Sequence, residues 1–236
     1  QTLTTSGECI NWFATQTDKM ILNKDYNNIV TNGLVLNLDA GFTPSYPTTG
    51  STWYDVSPSV NNGTLINGPT FDSTNGGSIV FDGTNDYVEV TNSLGTLSNY
   101  TIGYWAYRDT SDKMAIAART DTRFYNYGDN SWYYTHGGTA AEFYYPHAVS
   151  IPLSTWGYWV VVYNGSNVSI YRQSTLEGSQ NTTGTADWTS GMKIGLWTAG
   201  NSYAFQGKIA VVHMYNRALT AAEVLQNYNV QKSRFG

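Results

Sequence analysis

The sequence predicts an all-β fold, an antiparallel sandwich that closes with one short C-terminal helix. Three observations predict it. Of 236 residues only 12% are charged and 15% are aromatic, with 19 Tyr, 8 Trp and 23 Gly, whereas about a quarter of an average chain is charged. Solubility then rests on Asn, Thr, Ser and Tyr hydroxyls, a mix that suits strands with hydrogen-bonding outer faces and Gly/Asn turns. From Leu34 onward, short β-rich runs are punctuated by Gly, Asn, Asp and Pro, as in all-β sandwiches. Last, a single helix is well signalled, and it comes after the whole strand series.

Taken in order, residues 1–32 differ from the rest. Ile10, Trp12, Phe13, Met20, Ile21, Leu22, Ile29 and Val30 are scattered among polar residues, which allows one or two short helices but no strand ladder. This stretch is expected to be an irregular or helical N-terminal arm, packing on the main domain or on a neighbouring subunit. Residues 33–236 form the sandwich domain.

Within it the expected strands are Leu34–Asp39, Thr64–Ile66, Ser78–Asp82, Tyr87–Thr91, Tyr100–Arg108, Lys113–Ala118 and Arg123–Tyr127. They continue with Trp132–His136, Glu142–Tyr145, Gly157–Asn164, Val168–Arg172, Met192–Leu196 and Ala204–Tyr215. Alternation in Tyr100–Arg108 puts Ile102 and Tyr104 on one face and Trp105 and Tyr107 on the other. The run Trp159–Tyr163 is apolar throughout, which predicts a strand covered on both faces. Asn164-Gly165-Ser166-Asn167 is a strong hairpin signal. Thr220 is a good N-cap with Glu223 three residues on, the spacing of a capping box. Val224, Leu225 and Tyr228 then share a face at helical spacing.

Composition also excludes partners. A net charge of −5 supplies no basic face for nucleic acid and disfavours an anionic membrane surface. Cys9, the one cysteine, has no disulfide or metal-ligand companion. No apolar run reaches transmembrane length, and no signal peptide pattern occurs, so membrane insertion is not expected. The chain starts at Gln, as a processed chain or a piece of a longer one does.

Six segments, in order, resemble a known family. They are "LVLNLDAG" (Leu34–Gly41), "WYDVSPSVNNGTL" (Trp53–Leu65), "GSIVFDGTNDYVEV" (Gly77–Val90), "YTIGYWAYR" (Tyr100–Arg108), "STWGYWVVVYNGSNVSIY" (Ser154–Tyr171) and "FQGKIAVVHMYNRALTAAEVLQNYN" (Phe205–Asn229). Together they resemble the laminin-G-like, concanavalin A-like lectin/glucanase jelly-roll domains. The arm before "GLVLNLDAG" and the "SRFG" ending look most like copies in tailed-bacteriophage structural proteins. The resemblance implies two stacked antiparallel sheets with rim loops used for adhesion and carbohydrate binding, often with calcium. It implies a non-catalytic module on a virion surface or outside a cell, as a capsid decoration, fibre or tail component. Its partner would be a surface glycan or another virion protein, and it could be a homo-oligomer. The alternative is a glycan-cleaving enzyme, or an enzyme's accessory carbohydrate-binding domain, of the same fold.

The residues bear on these readings unequally. A glycan-cleaving relative would carry acidic residues alternating along one strand, because period 2 sets them beside the sugar. No strand shows that pattern, and His136, His147 and His213 lie far apart, so no enzyme is expected. Calcium takes oxygen ligands from Asp, Asn and carbonyl groups, and the resemblance places them near Asp39, Asp55, Asn61, Asn62 and Asp82. Pro58 and Val60 depart from the commoner "D-x-S-G-N-x-N-x-G" pattern, and Asx residues also cap turns through their own backbone. For sugar contact the best stretch is Arg123–His147, with Tyr125, Tyr127, Trp132, Tyr134 and His136 as candidates. Rings stack on a pyranose face while polar neighbours bind its hydroxyls. Alternating aromatics in an antiparallel pair are also core positions, and outward ones suit a subunit interface.

Overall fold

The structure is a computed structural model, which describes residues 28–110, 114–118, 122–126, 132–136, 139–145, 152–196 and 204–236. Between 114 and 145 the described side chains are those of Thr122, Arg123, Phe124 and Tyr134.

Eight strands form the first sheet: β1 (Leu34–Asp39), β4 (Thr70–Asp72), β5 (Ser78–Asp82), β8 (Tyr100–Arg108), β13 (Trp156–Tyr163), β14 (Asn167–Arg172), β15 (Thr175–Asn181) and β18 (Gln206–Tyr215). Their order is β15-β14-β13-β8-β18-β5-β4, with β1 also on β18. The long β18 serves two neighbours on one side: Gln206–Ile209 pair with β5, and Val211–Tyr215 pair with β1. Facing it is a second sheet of β2 (Thr52–Trp53), β3 (Gly63–Ile66), β6 (Tyr87–Val90), β9 (Met114–Ala118), β10 (Arg123–Asn126), β11 (Trp132–His136), β12 (Thr139–Tyr145) and β17 (Met192–Ile194). Its order is β12-β11-β10-β9-β17-β6-β3-β2, and a small third sheet joins β7 (Thr96–Leu97) to β16 (Ala186–Asp187). The pairings within all three sheets are antiparallel. This is the expected two-sheet sandwich.

Side-chain alternation follows the pleat. Ile102 and Tyr104 enter the core between the sheets, while Trp105 enters a second cluster on the outer face of the first sheet. On β13, Val161 and Tyr163 point into the main core, and Val160 and Val162 into the outer cluster. Both faces of that strand are covered, as its unbroken apolar run predicts. The hairpin that follows is held by Asn164, whose Oδ1 accepts the N–H groups of Ser166 and Asn167 at 3.0 and 2.8 Å.

The outer cluster exists because a helix, α1 (Ala221–Gln231), lies over it. Thr220 and Glu223 form the reciprocal capping box, which satisfies two orphan N–H groups of the first turn. Trp105 stacks on Phe235 at 4.2 Å, on Tyr158 at 5.2 Å and on Tyr228 at 5.8 Å, and its indole N–H donates to Gln231 at 2.9 Å. Each such ring pair adds about 1 kcal/mol beyond the area it buries. The buried face of α1 differs from the expected one. Leu225 is exposed, and Asn227 takes the inner position beside Val224. Asn227 is polar but fully satisfied: it accepts the Val30 N–H and donates to the Tyr215 hydroxyl.

Of the arm, 1–27 lie outside the described residues. Its last part docks on α1, with Ile29 and Val30 buried and the Asn28 carbonyl accepting from Gln226. The strands β2, β4, β7, β15 and β16 were not expected. Four are two or three residues long, and β15, which reads TLEGSQN and is polar apart from Leu176, is an edge strand of the first sheet, where polar residues are the rule. Among the described residues no helix is long and apolar enough to cross a membrane.

Candidate functional site

The five positions singled out for calcium do other work. Strand β1 has a free edge opposite β18, and the loop after β2 closes it. The Asp55 carboxylate accepts the N–H groups of Asn37 (2.8 Å), Ser57 (2.8 Å) and Asn61 (2.6 Å), and the Ser57 hydroxyl at 2.7 Å. Val56 N–H donates to the Asn37 carbonyl, and the Asn61 amide to that of Val35. Asn62 Oδ1 accepts the Asp55 N–H. At the end of β1, Asp39 accepts from Gly41 N–H and the Arg234 guanidinium, both through Oδ1, at 2.8 and 2.6 Å. Asp82 is elsewhere, capping the turn before β6 through the N–H groups of Thr84 and Asn85. A calcium ion needs six to eight oxygens, whereas both Asp55 oxygens and one oxygen each of Asp39, Asn62 and Asp82 accept from N–H or O–H donors. As placed, the five residues do not converge on one oxygen cage, and among the described residues no three His, Cys, Asp or Glu side chains come together.

Of the sugar candidates, Tyr134 is a core residue, 1% exposed, with its hydroxyl against that of Tyr100. Its ring reaches no ligand unless the sandwich opens. Burial raises its hydroxyl pKa far above the ordinary tyrosine value, so it stays neutral. Tyr125 lies on β10 and Trp132 and His136 on β11; their side chains, and all of Tyr127, lie outside the described residues.

The cavity with mixed aromatic and polar walls opens elsewhere, at the rim where β8, β13 and β14 end. It encloses about 210 Å³ and is lined by Ala106, Arg108, Trp156, Trp159, Arg172 and Gln173, with Pro152, Thr155, Gly157 and Phe205 completing it. The pleat explains the lining. Arg108 follows Tyr104 and Ala106 at period 2, so its side chain turns inward at the mouth of the core. Gly157 leaves room for the Trp159 indole: a Cβ there would meet its Nε1 at 2.6 Å. The Arg172 guanidinium lies 5.9 Å over the Trp159 ring and is paired through Nε with Glu177 at 2.7 Å. Gln173 is locked at both ends, accepting from Tyr158 N–H and donating to the Trp156 carbonyl. Arg108 is 5% exposed, and desolvation lowers its pKa to about 10, so it remains a cation at neutral pH.

Backbone strain concentrates at the same mouth. Ser154, Gln173 and Ser174 have φ of 56°, 48° and 68°. The two-residue turn Gln173-Ser174 therefore takes a conformation that normally selects Asn-Gly. Strained non-glycine residues cost about 1–3 kcal/mol each and cluster at ligand clamps. Leu153 and Leu176, two of the exposed large apolar side chains, belong to the segments that carry this strain.

Sequence reasoning passed over Arg108, Trp159 and Arg172, because each belongs to a segment read as strand, and Gln173, because it follows one. An arginine ending the apolar strand Tyr100–Arg108 was the available signal.

Comparison with known proteins bears on this architecture. Residues 82–225 match the family described as the concanavalin A-like lectin/glucanases superfamily. No curated protein sequence matches the chain. Among solved structures, domain 4 of AbnA, a GH43 extracellular arabinanase from Geobacillus stearothermophilus in complex with arabinotriose, is similar with a TM-score of 0.65 and 13% identity. The match covers 86% of this chain and 100% of that one. The binding domain of Paraclostridial Mosquitocidal Protein 1 gives 0.63 and 14%, over 84% of this chain and 52% of that one. The botulinum neurotoxin serotype D binding domain gives 0.63 and 10%, over 86% and 53%. The chain thus spans about half the length of the two toxin domains. By a family match over more than half its length, the chain belongs to the concanavalin A-like lectin/glucanase superfamily.

Proposed function

We propose that this chain is a non-catalytic carbohydrate-binding module that takes one sugar unit of a glycan at the rim cavity. The observation that carries the reading is the cavity lining: two indoles, two guanidiniums and a clamped amide around a ring-sized space. Small-ligand sites combine apolar walls with a few fixed polar groups in this way. No carboxylate occurs among the described lining residues, and glycoside hydrolysis needs a pair of them, which supports binding over cleavage. The similarity to an arabinanase domain solved with arabinotriose supports the same class of ligand. The setting belongs to the proposal too: display outside a cell, on a secreted protein or on a virion surface, where a virion protein or a second copy is the other class of partner.

A glycan panel probed with the wild-type chain and with Thr155→Trp, which fills the cavity, tests the reading. Selective binding by the wild-type chain, lost in the folded variant, is expected. Binding that survives the filled cavity would move the site elsewhere.

A further inference from the structure

We propose that Phe235 is a positioning residue for glycan binding, because its ring sets the place of Trp156 in the cavity wall. The inference rests on the glycan-binding reading of the rim cavity, and its ground is geometric. Trp156 opens β13 and lines the cavity, half-buried. A side chain so placed chooses among several rotamers unless neighbours fix it. Three neighbours do so here. The Tyr107 ring lies 5.7 Å away and the Phe235 ring 4.8 Å away, and the indole N–H donates to Asn75 Oδ1 at 3.1 Å. Tyr107 is the register partner of Trp156 on β8, so sheet formation alone supplies it. Phe235 and Asn75 reach the indole from segments outside the strands.

Those two neighbours belong to one assembly. Asn75 donates through Nδ2 to the Arg234 carbonyl, and its own carbonyl accepts from Arg234 Nε at 2.6 Å. The Arg234 guanidinium also donates to the Asp39 carboxylate and to the Gly77 carbonyl, at 2.6 Å each. The backbone beside Phe235 is thereby pinned to the end of β1 and to the turn before β5. The Phe235 ring is buried and stacks on Trp105, which lies deep in the outer cluster. It therefore bridges a fixed ring of that cluster and a ring of the cavity wall. A wall held in place beforehand spares the complex a loss of side-chain freedom, which is worth roughly three- to tenfold in affinity.

The test is calorimetric titration of the whole chain with short linear arabino-, gluco-, xylo-, manno- and galacto-oligosaccharides. Phe235→Leu and Asn75→Gly are each expected to weaken the tightest-binding one about three- to tenfold. Glycine accepts the left-handed backbone of Asn75, φ 51°, and position 75 is exposed, so the second variant keeps the fold. Met192→Ala, in the core of the facing sheet, is expected to lower stability and leave affinity unchanged. In the free chain the Trp156 indole N–H resonance moves in Phe235→Leu and Asn75→Gly and holds still in Met192→Ala. Wild-type affinity in a folded Phe235→Leu overturns the positioning role; should that variant not fold, wild-type affinity in Asn75→Gly overturns it. Either result leaves the glycan-binding reading standing where Thr155→Trp abolishes binding. An equal loss of affinity in Met192→Ala also overturns the role, since stability and not the wall would set affinity. If no oligosaccharide binds the wild-type chain, both readings fall.

Discussion

The Asp55 carboxylate accepts the Asn37 backbone N–H at 2.8 Å, so a loop aspartate satisfies the free edge of strand β1. Asp55 is 5% exposed and also holds the N–H groups of Ser57 and Asn61. Edge strands present unpaired groups that must be covered; here the Asp55 carboxylate covers one and shapes the loop whose Val56 N–H and Asn61 amide cover two more. Asp55→Ala strands three buried N–H donors at about 1–3 kcal/mol each, so a loss of at least about 3 kcal/mol is expected in chemical denaturation. Because the oxygens already have donors, calcium or a chelator is expected to leave the melting temperature unchanged. A rise of several degrees with calcium would contradict this account of the loop.

Val60, in the same loop, has φ 54° and is largely exposed. A β-branched residue in the left-handed region is strained. Val60→Gly or Val60→Asn is expected to stabilise the chain by about 1 kcal/mol, read as a higher denaturation midpoint at unchanged slope. A lower midpoint would show that the valine makes a contact that outweighs its strain.

His213 pairs in register with Asn37 across β1 and β18 and is fully buried. Neither of its ring nitrogens has a hydrogen-bond partner among the described residues. Desolvation lowers its pKa to about 4, below the value near 6.5 in an unfolded chain. The unfolded state therefore binds the proton first on acidification. The stability His213 contributes is whole above about pH 6.5 and declines as pH falls towards 4, by about 3 kcal/mol in all. Denaturation midpoints between pH 7 and 4 are expected to fall in the wild type and to flatten in His213→Leu. Asp72 and Glu223, held down to about 2 by Lys208 and Arg217, lose their contribution in a lower window. A wild-type stability constant from pH 7 to 4.5 would remove the histidine from the account.

Asn227 ties the C-terminal helix to the segment before β1 by accepting the Val30 N–H and to β18 by donating to the Tyr215 hydroxyl. Asn227→Leu removes both bonds while keeping volume, and about 2 kcal/mol of stability should go with them. Amide exchange at Val30 is expected to quicken more than exchange within β8. Equal protection at both would mean that the packing of Ile29, not the hydrogen bond, ties the segment down.

The fold was legible because its signals are local. The apolar run Trp159–Tyr163, the Asn164 turn and the Thr220–Glu223 box each fix a backbone state within a few residues. The helix face was misread at Leu225 because polarity pointed away from Asn227, whose partners lie 12 and 197 residues distant. The rim cavity was not legible for the same reason. Trp159 and Arg172 face each other across the hairpin that the Asn164 turn signals, but Arg108 joins them only through the adjacency of β8 and β13, a property of sheet order that no spacing in the sequence records. The Asx residues of the loop at Asp55 look alike whether they cap turns or bind a cation; only their donors distinguish the two.

The most direct measurement follows the indole N–H resonances while a glycan is titrated. Trp156 and Trp159 line the cavity, whereas Trp53 and Trp188 are buried in the main core away from it. The account predicts that the first two shift progressively and saturate, while the other two hold still. Saturable binding with no movement at Trp156 or Trp159 would contradict the assignment of the cavity as the binding site.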